Sequence, residues 1–93
     1  MQSYNKIILV GRLTRDPEIK YVMGDIPVSN YVLAVDRPYK KPDGGKDTDF
    51  LRIACWRKLA EFSKKYLTKG QLILVEGAVQ EERSEKDGQV RYF

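Results

Sequence analysis

Hydrophobic residues in this chain fall mostly in short runs separated by turn-forming residues, and only one segment has a helical period. "NKIILVGRL" (5–13) is rich in aliphatic and β-branched residues and predicts a strand. Gly11 inside it predicts a bend or bulge. "RDPE" breaks that strand, "IKYVM" (19–23) predicts a short second one, and Gly24-Asp25 a turn. "VSNYVLAVD" (28–36) follows as a strand with Tyr31, Leu33 and Val35 on one face. "RPYKKPDGGKD" (37–47), with two prolines and a Pro-Asp-Gly-Gly run, predicts a loop. In "DFLRIACWRK" (49–58) Leu51, Ile53 and Cys55 alternate onto an apolar face, while Phe50, Arg52, Ala54 and Trp56 take the other.

From 57 to 67, "RKLAEFSKKYL", the period changes. Leu59, Phe62 and Tyr66 recur at helical spacing, which predicts a helix with these three as its buried stripe and Gly70 as a left-handed stop. "QLILVEGAVQEE" (71–82) returns to strand with an internal glycine, Gly77. "SEKDGQ" carries the Asp-Gly hairpin signal, and "VRYF" begins a last strand. Strands, one helix, then strands again define an all-β class. The order fits the OB-fold, a five-stranded Greek-key barrel, with the helix between its third and fourth strands and the last strand cut short. The expectation is one domain over 1–93, with a small closed or nearly closed barrel.

Length and composition narrow this further. Ninety-three residues bury a limited core, so self-association is a natural source of added stability. No apolar run approaches the ~20 residues of a membrane span, and the N-terminus has no signal-peptide pattern. Without histidine, imidazole catalysis and imidazole metal ligation are excluded, and one cysteine cannot build a zinc site or an intramolecular disulfide. Cys55 is expected to be a small core residue. Asp47 and Asp49 share a strand face, but a solvated strand edge explains them better than a metal pair. The expectation is a protein that is not an enzyme and needs no cofactor or metal.

Charge changes the picture more. The net charge of +4 is unevenly placed: residues 37–69 hold ten Lys or Arg against four acids, and the rest hold seven against nine. The basic excess surrounds the unusual face of Phe50, Arg52, Ala54 and Trp56. Aromatic rings stack on any exposed base, and a cation between them neutralises the passing phosphates. Ala54 leaves room for a base to lie flat. Tyr39, with Arg37, Lys40 and Lys41, repeats the pairing in the basic segment. These residues point to binding of single-stranded nucleic acid.

In order, "NKIILVGRLTRDPEIKY", "VSNYVLAV", "TDFLRIACWRKLAE", "YLTKGQLILVEG" and "KDGQVRY" resemble the bacterial and phage single-stranded DNA-binding protein family. The resemblance covers nearly the whole chain. It implies an OB-fold, usually a homotetramer, that binds single-stranded DNA without sequence preference in replication, recombination and repair. It implies a cytoplasmic, nucleoid-associated protein with replication and repair proteins as partners, recruited through an acidic C-terminal tail. Tyr39, Phe50 and Trp56 match positions where the family stacks bases. Arg52, Lys58 and Lys69 match basic positions of its DNA path, and Tyr21 and Lys6 fall on further family positions.

Three departures stand out. The hairpin "QEERSEKDG" is acidic, with Ser84 where an aromatic is common, so it is expected to stay clear of DNA. Leu51 stands where the family often has histidine. The chain ends at Phe93, before the family's last strand normally finishes, so the expectation is a truncated form without the linker and tail. Alternative readings are an OB-fold primosomal adaptor that mainly makes protein contacts, or an RNA-binding barrel.

Overall fold

Backbone pairing joins the strands into one sheet. The computed structural model describes residues 3–81 and 90–92, with side chains for all but Lys40 and 90–92. Its elements are β1 (Ile7–Leu13), β2 (Glu18–Val22), β3 (Ile26–Lys40), β4 (Lys46–Trp56), α1 (Lys58–Tyr66), β5 (Leu72–Gly77), β6 (Val79–Glu81) and β7 (Val90–Tyr92). The sheet runs β5-β1-β3-β4-β7-β6, with β2 paired to β3 off that path. All pairs are antiparallel except β4 with β7, which are parallel where Ile53 meets Tyr92. Setting aside the short β2, three strands precede the helix, as the OB-fold requires.

Alternation builds the core. Leu13, Tyr31, Leu33, Ile53 and Val75 are buried together, with Leu9, Val35, Cys55, Leu67 and Ile73 packed around them. Cys55 is thus half-buried at the margin of the core. Its thiol lies 3.8 Å from the Tyr31 hydroxyl, and burial pushes both groups' pKa values above their ordinary ones. Gly11 is needed for a close approach: a Cβ there would sit 2.4 Å from the Ala34 carbonyl oxygen, so β1 could not lie against β3.

The structure departs from the sequence reading in four places. The segment 37–47 is largely strand. β3 runs on to Lys40 and β4 starts at Lys46, which leaves only residues 41–45 as a turn. Cross-strand polar pairs hold these arms: Arg37 with Asp49, Lys41 with Asp47, and Thr48 with Asp36. Pro38 is accommodated where the register shifts between Asp36 and Lys40.

Second, the stripe of Leu59, Phe62 and Tyr66 is not buried; these side chains are more than half exposed. The helix docks instead through its small residues Ala60 and Ser63, both fully buried, which bring it close to β3. There the Ser63 and Ser29 hydroxyls share a hydrogen bond of 2.6 Å. Phe62 and Tyr66 pack on each other, with ring centroids 4.9 Å apart.

Third, the helix ends at Tyr66, before Gly70. Leu67 is extended, and Gly70, at φ 84°, serves the following turn.

Fourth, the barrel is not closed. Among the described residues β5 pairs only with β1. A recess of about 400 Å³ lies at this seam, lined by Cys55, Leu59, Phe62 and β5. That seam is why Leu59 and Phe62 remain exposed. The "SEKDGQ" turn, residues 84–89, lies outside the described residues. The strands on either side of it pair antiparallel, Val79 with Tyr92 and Glu81 with Val90.

Candidate nucleic-acid interface

Register decides which side chains meet on the outer face of the sheet. In β3 and β4, Val28 lies opposite Trp56, Asn30 opposite Ala54, Val32 opposite Arg52, and Ala34 opposite Phe50. Since strand residues two apart share a face, Phe50, Arg52, Ala54 and Trp56 form one row. Phe50 is 65% exposed and Trp56 41%, whereas Ala54, at 2%, forms a floor between them. Six steps along the strand lead from one ring to the other, a span of about 20 Å.

β2 extends this face. Glu18 pairs with Asn30 and Lys20 with Val28, so Glu18 and Lys20 join the row that contains Asn30 and Val28. A recess of about 380 Å³ opens beside Arg52 and Ala54, lined also by Arg15, Glu18, Lys20 and Asn30 among others. Sequence reading missed Arg15, Glu18, Lys20 and Asn30. Alternation puts Glu18 and Lys20 on one face of a strand, but nothing local says that this face lies beside Ala54.

Tyr39 stands apart. Arg37 donates from Nη1 to its hydroxyl oxygen at 2.9 Å, and from Nε and Nη2 to Asp49 at 3.1 and 2.9 Å. Asp49 and Phe50 are consecutive in β4, so they point to opposite faces. The Arg37–Tyr39 cluster is thus tied to the side of the hairpin away from Phe50.

The other candidates are spread over the surface. Lys58 begins α1, two residues after Trp56, and is exposed. Lys69 is exposed, and its backbone N–H donates to Asp16, the residue after Arg15. Lys41 pairs with Asp47 at 3.0 Å, and Lys6 with Glu76 at 2.8 Å, on the β1–β5 side. Tyr21 is exposed on the face of β2 opposite Glu18 and Lys20. Lys40 ends β3, and its side chain lies outside what is described. Among the described residues no group of three or more His, Cys, Asp or Glu is placed to hold a metal ion. No helix among them is long and apolar enough to cross a membrane.

An OB-type sheet with exposed rings, cations and a recess on its outer face has the features of a nucleic-acid-binding class of architecture. Residues 4–93 match the single-strand binding protein family, and the chain belongs to it. It is 51% identical over 87 residues to the single-stranded DNA-binding protein of Thermotoga maritima, covering 91% of this chain and 62% of that protein. It is 46% identical over 76 residues to the one from Halalkalibacterium halodurans, covering 82% of this chain and 45% of that protein. Single-stranded DNA-binding protein 2 of Streptococcus agalactiae serotype III is 42% identical over 90 residues, covering 97% of this chain and 69% of that protein. The chain thus spans roughly half to two-thirds of the length of these relatives.

Proposed function

We propose that this chain binds single-stranded DNA without marked overall sequence preference and protects it during replication, recombination and repair. The observation that carries this reading is the pair of exposed rings, Phe50 and Trp56, on one strand face with Arg52 between them. Stacking is worth ~1–3 kcal/mol per base and tolerates any base, while the cations neutralise phosphates. The relatives' names support DNA over RNA or an adaptor role. Tyr39, Lys58 and Lys69 supply further contacts along the strand's path.

Trp56 is the only tryptophan, so its fluorescence reports binding directly. Oligo-dT should quench it strongly and duplex DNA much less, and Trp56→Ala should lose ~1–3 kcal/mol of binding. Emission unchanged at saturating oligo-dT would rule out the stacking role.

The working form is proposed to be a homotetramer. Ile8, Val10, Leu72 and Leu74 are each at least half exposed on the outer face of β1 and β5, where Val10 lies directly opposite Leu74. A contiguous apolar patch of this kind is suited to burial between copies of the chain. Light scattering on the wild type and on Val10→Lys with Leu74→Lys tests this; an unchanged mass would place self-association elsewhere.

A further inference from the structure

The recess beside Arg52 and Ala54 holds an arrangement that phosphate binding does not explain. Glu18, Asn30 and Ala54 lie in one row across three strands, Glu18 opposite Asn30 and Asn30 opposite Ala54. Lys20 stands two residues along β2 on the Trp56 side of that row, Arg52 two residues along β4 on the Phe50 side, and Arg15 also lines the recess. Among the described residues, neither the Glu18 carboxylate nor the half-buried Asn30 amide has a hydrogen-bond or ion-pair partner. A carboxylate beside a phosphate track is repulsive, and a site built only to hold a backbone has no use for one. Beside a flat base it is an acceptor for paired N–H donors.

The four bases differ in what they present to such a recess. Guanine alone carries two adjacent donors, N1–H and the 2-amino group, which match the two oxygens of one carboxylate. On the same base O6 and N7 are acceptors, which suit cations and an amide N–H. Cytosine and adenine each offer a single amino group. Thymine offers one N–H flanked by two carbonyl oxygens, which a carboxylate would repel.

We propose that this recess is a guanine-preferring subsite within the DNA path, with Glu18 accepting from N1–H and the 2-amino group, and Asn30 and Lys20 facing O6 and N7. The inference rests on the single-stranded DNA reading. It adds a local preference to binding that is otherwise indifferent to sequence.

The test uses short oligo-dT carrying one central dG, dA, dC or deoxyinosine, with Trp56 quenching as readout. The dG oligonucleotide should bind roughly tenfold more tightly than its all-dT parent, within the range of a bidentate base contact. Deoxyinosine, which lacks the 2-amino group, should lose most of that gain. In Glu18→Gln the ratio of dG to dT affinity should fall close to one. Equal affinities for all five oligonucleotides, with normal quenching, would overturn the subsite and leave DNA binding intact. So would a Glu18→Gln variant that binds every oligonucleotide more tightly by one common factor and keeps the ratio, because the carboxylate would then only repel phosphates. Absence of binding to any oligonucleotide would overturn both.

Discussion

Arg37 grips Asp49 with two hydrogen bonds, from Nε to Oδ2 at 3.1 Å and from Nη2 to Oδ1 at 2.9 Å, in the parallel geometry that makes guanidinium–carboxylate pairs specific. The third arm of the same guanidinium holds the Tyr39 hydroxyl. A cation that the basic segment offers to DNA is therefore already engaged by an acid across the hairpin. Asp49→Asn should release it. The slope of log affinity against log salt should steepen by up to ~0.7, the increment for one more phosphate neutralised on a single strand. In the wild type, Arg37→Ala should flatten that slope by less than the full ~0.7. Salt titrations of the two variants against oligo-dT check this.

The pair also has a pH signature. Hydrogen bonds from Arg37 hold the Asp49 carboxyl below its ordinary value; desolvation opposes this, and the guanidinium charge adds to it. A carboxyl whose pKa is lowered by folding stabilises the fold above its unfolded pKa of about 3.9, and that contribution is lost as pH falls through the lowered value. The Asp49 carboxyl resonance should therefore titrate below 3.9, and in Arg37→Ala its midpoint should move up. A midpoint that does not respond to Arg37→Ala would mean the pair is not formed in solution.

Tyr39 and Phe50 lie on different sides of the β3–β4 hairpin, so one short strand cannot stack on both. An oligonucleotide just long enough to span Phe50 and Trp56, about 20 Å, should bind wild type and Tyr39→Ala alike. A longer one that wraps the hairpin should lose ~1–3 kcal/mol on the same substitution. Equal losses at both lengths would place Tyr39 beside Phe50 in the complex.

The buried hydroxyls of Ser29 and Ser63 anchor the helix, and Ser63 also lies 2.8 Å from the Ala60 carbonyl oxygen. Ser63→Ala leaves the Ser29 hydroxyl buried without its match, a cost of about 1–3 kcal/mol. Ser29→Ala leaves Ser63 its bond to Ala60 and should cost only about 0.5–1.5 kcal/mol. Adding Ser63→Ala should cost much less than a second full increment. A denaturant double-mutant cycle reads the coupling, and strict additivity would deny it.

Arg57 joins β4 to α1 at φ 58° and ψ −121°, a region that favours glycine, and no side chain caps the helix there. Strain of this kind costs of order 1–3 kcal/mol, partly offset because glycine raises the entropy of the unfolded chain. Arg57→Gly should raise stability by about 1 kcal/mol, and Arg57→Ala should not. Thermal melts of the two variants side by side distinguish relief of strain from loss of charge.

Strand alternation and the basic excess were sufficient to pick out the OB-type order and the face of Phe50, Arg52 and Trp56, because both depend on neighbours within a few residues. The helix shows the limit of that logic. Its period was legible, but the buried face was not: Leu59, Phe62 and Tyr66 form the larger apolar stripe, yet Ala60 and Ser63 go inside because small side chains let the helix approach β3. The segment 37–47 reads as a loop from its prolines and glycines. It becomes strand only through ion pairs with Asp47 and Asp49 on the facing arm, which local sequence cannot count. Tyr39 carries the right chemistry for stacking, but its side of the hairpin depends on Arg37 and Asp49. The sequence alone thus determined the kinds of residue and their spacing along each strand. Only the tertiary structure, through register across β2, β3 and β4, decided that Glu18, Lys20 and Asn30 stand beside Ala54 and complete the recess, because a shift of one residue in that pairing would turn them to the other face.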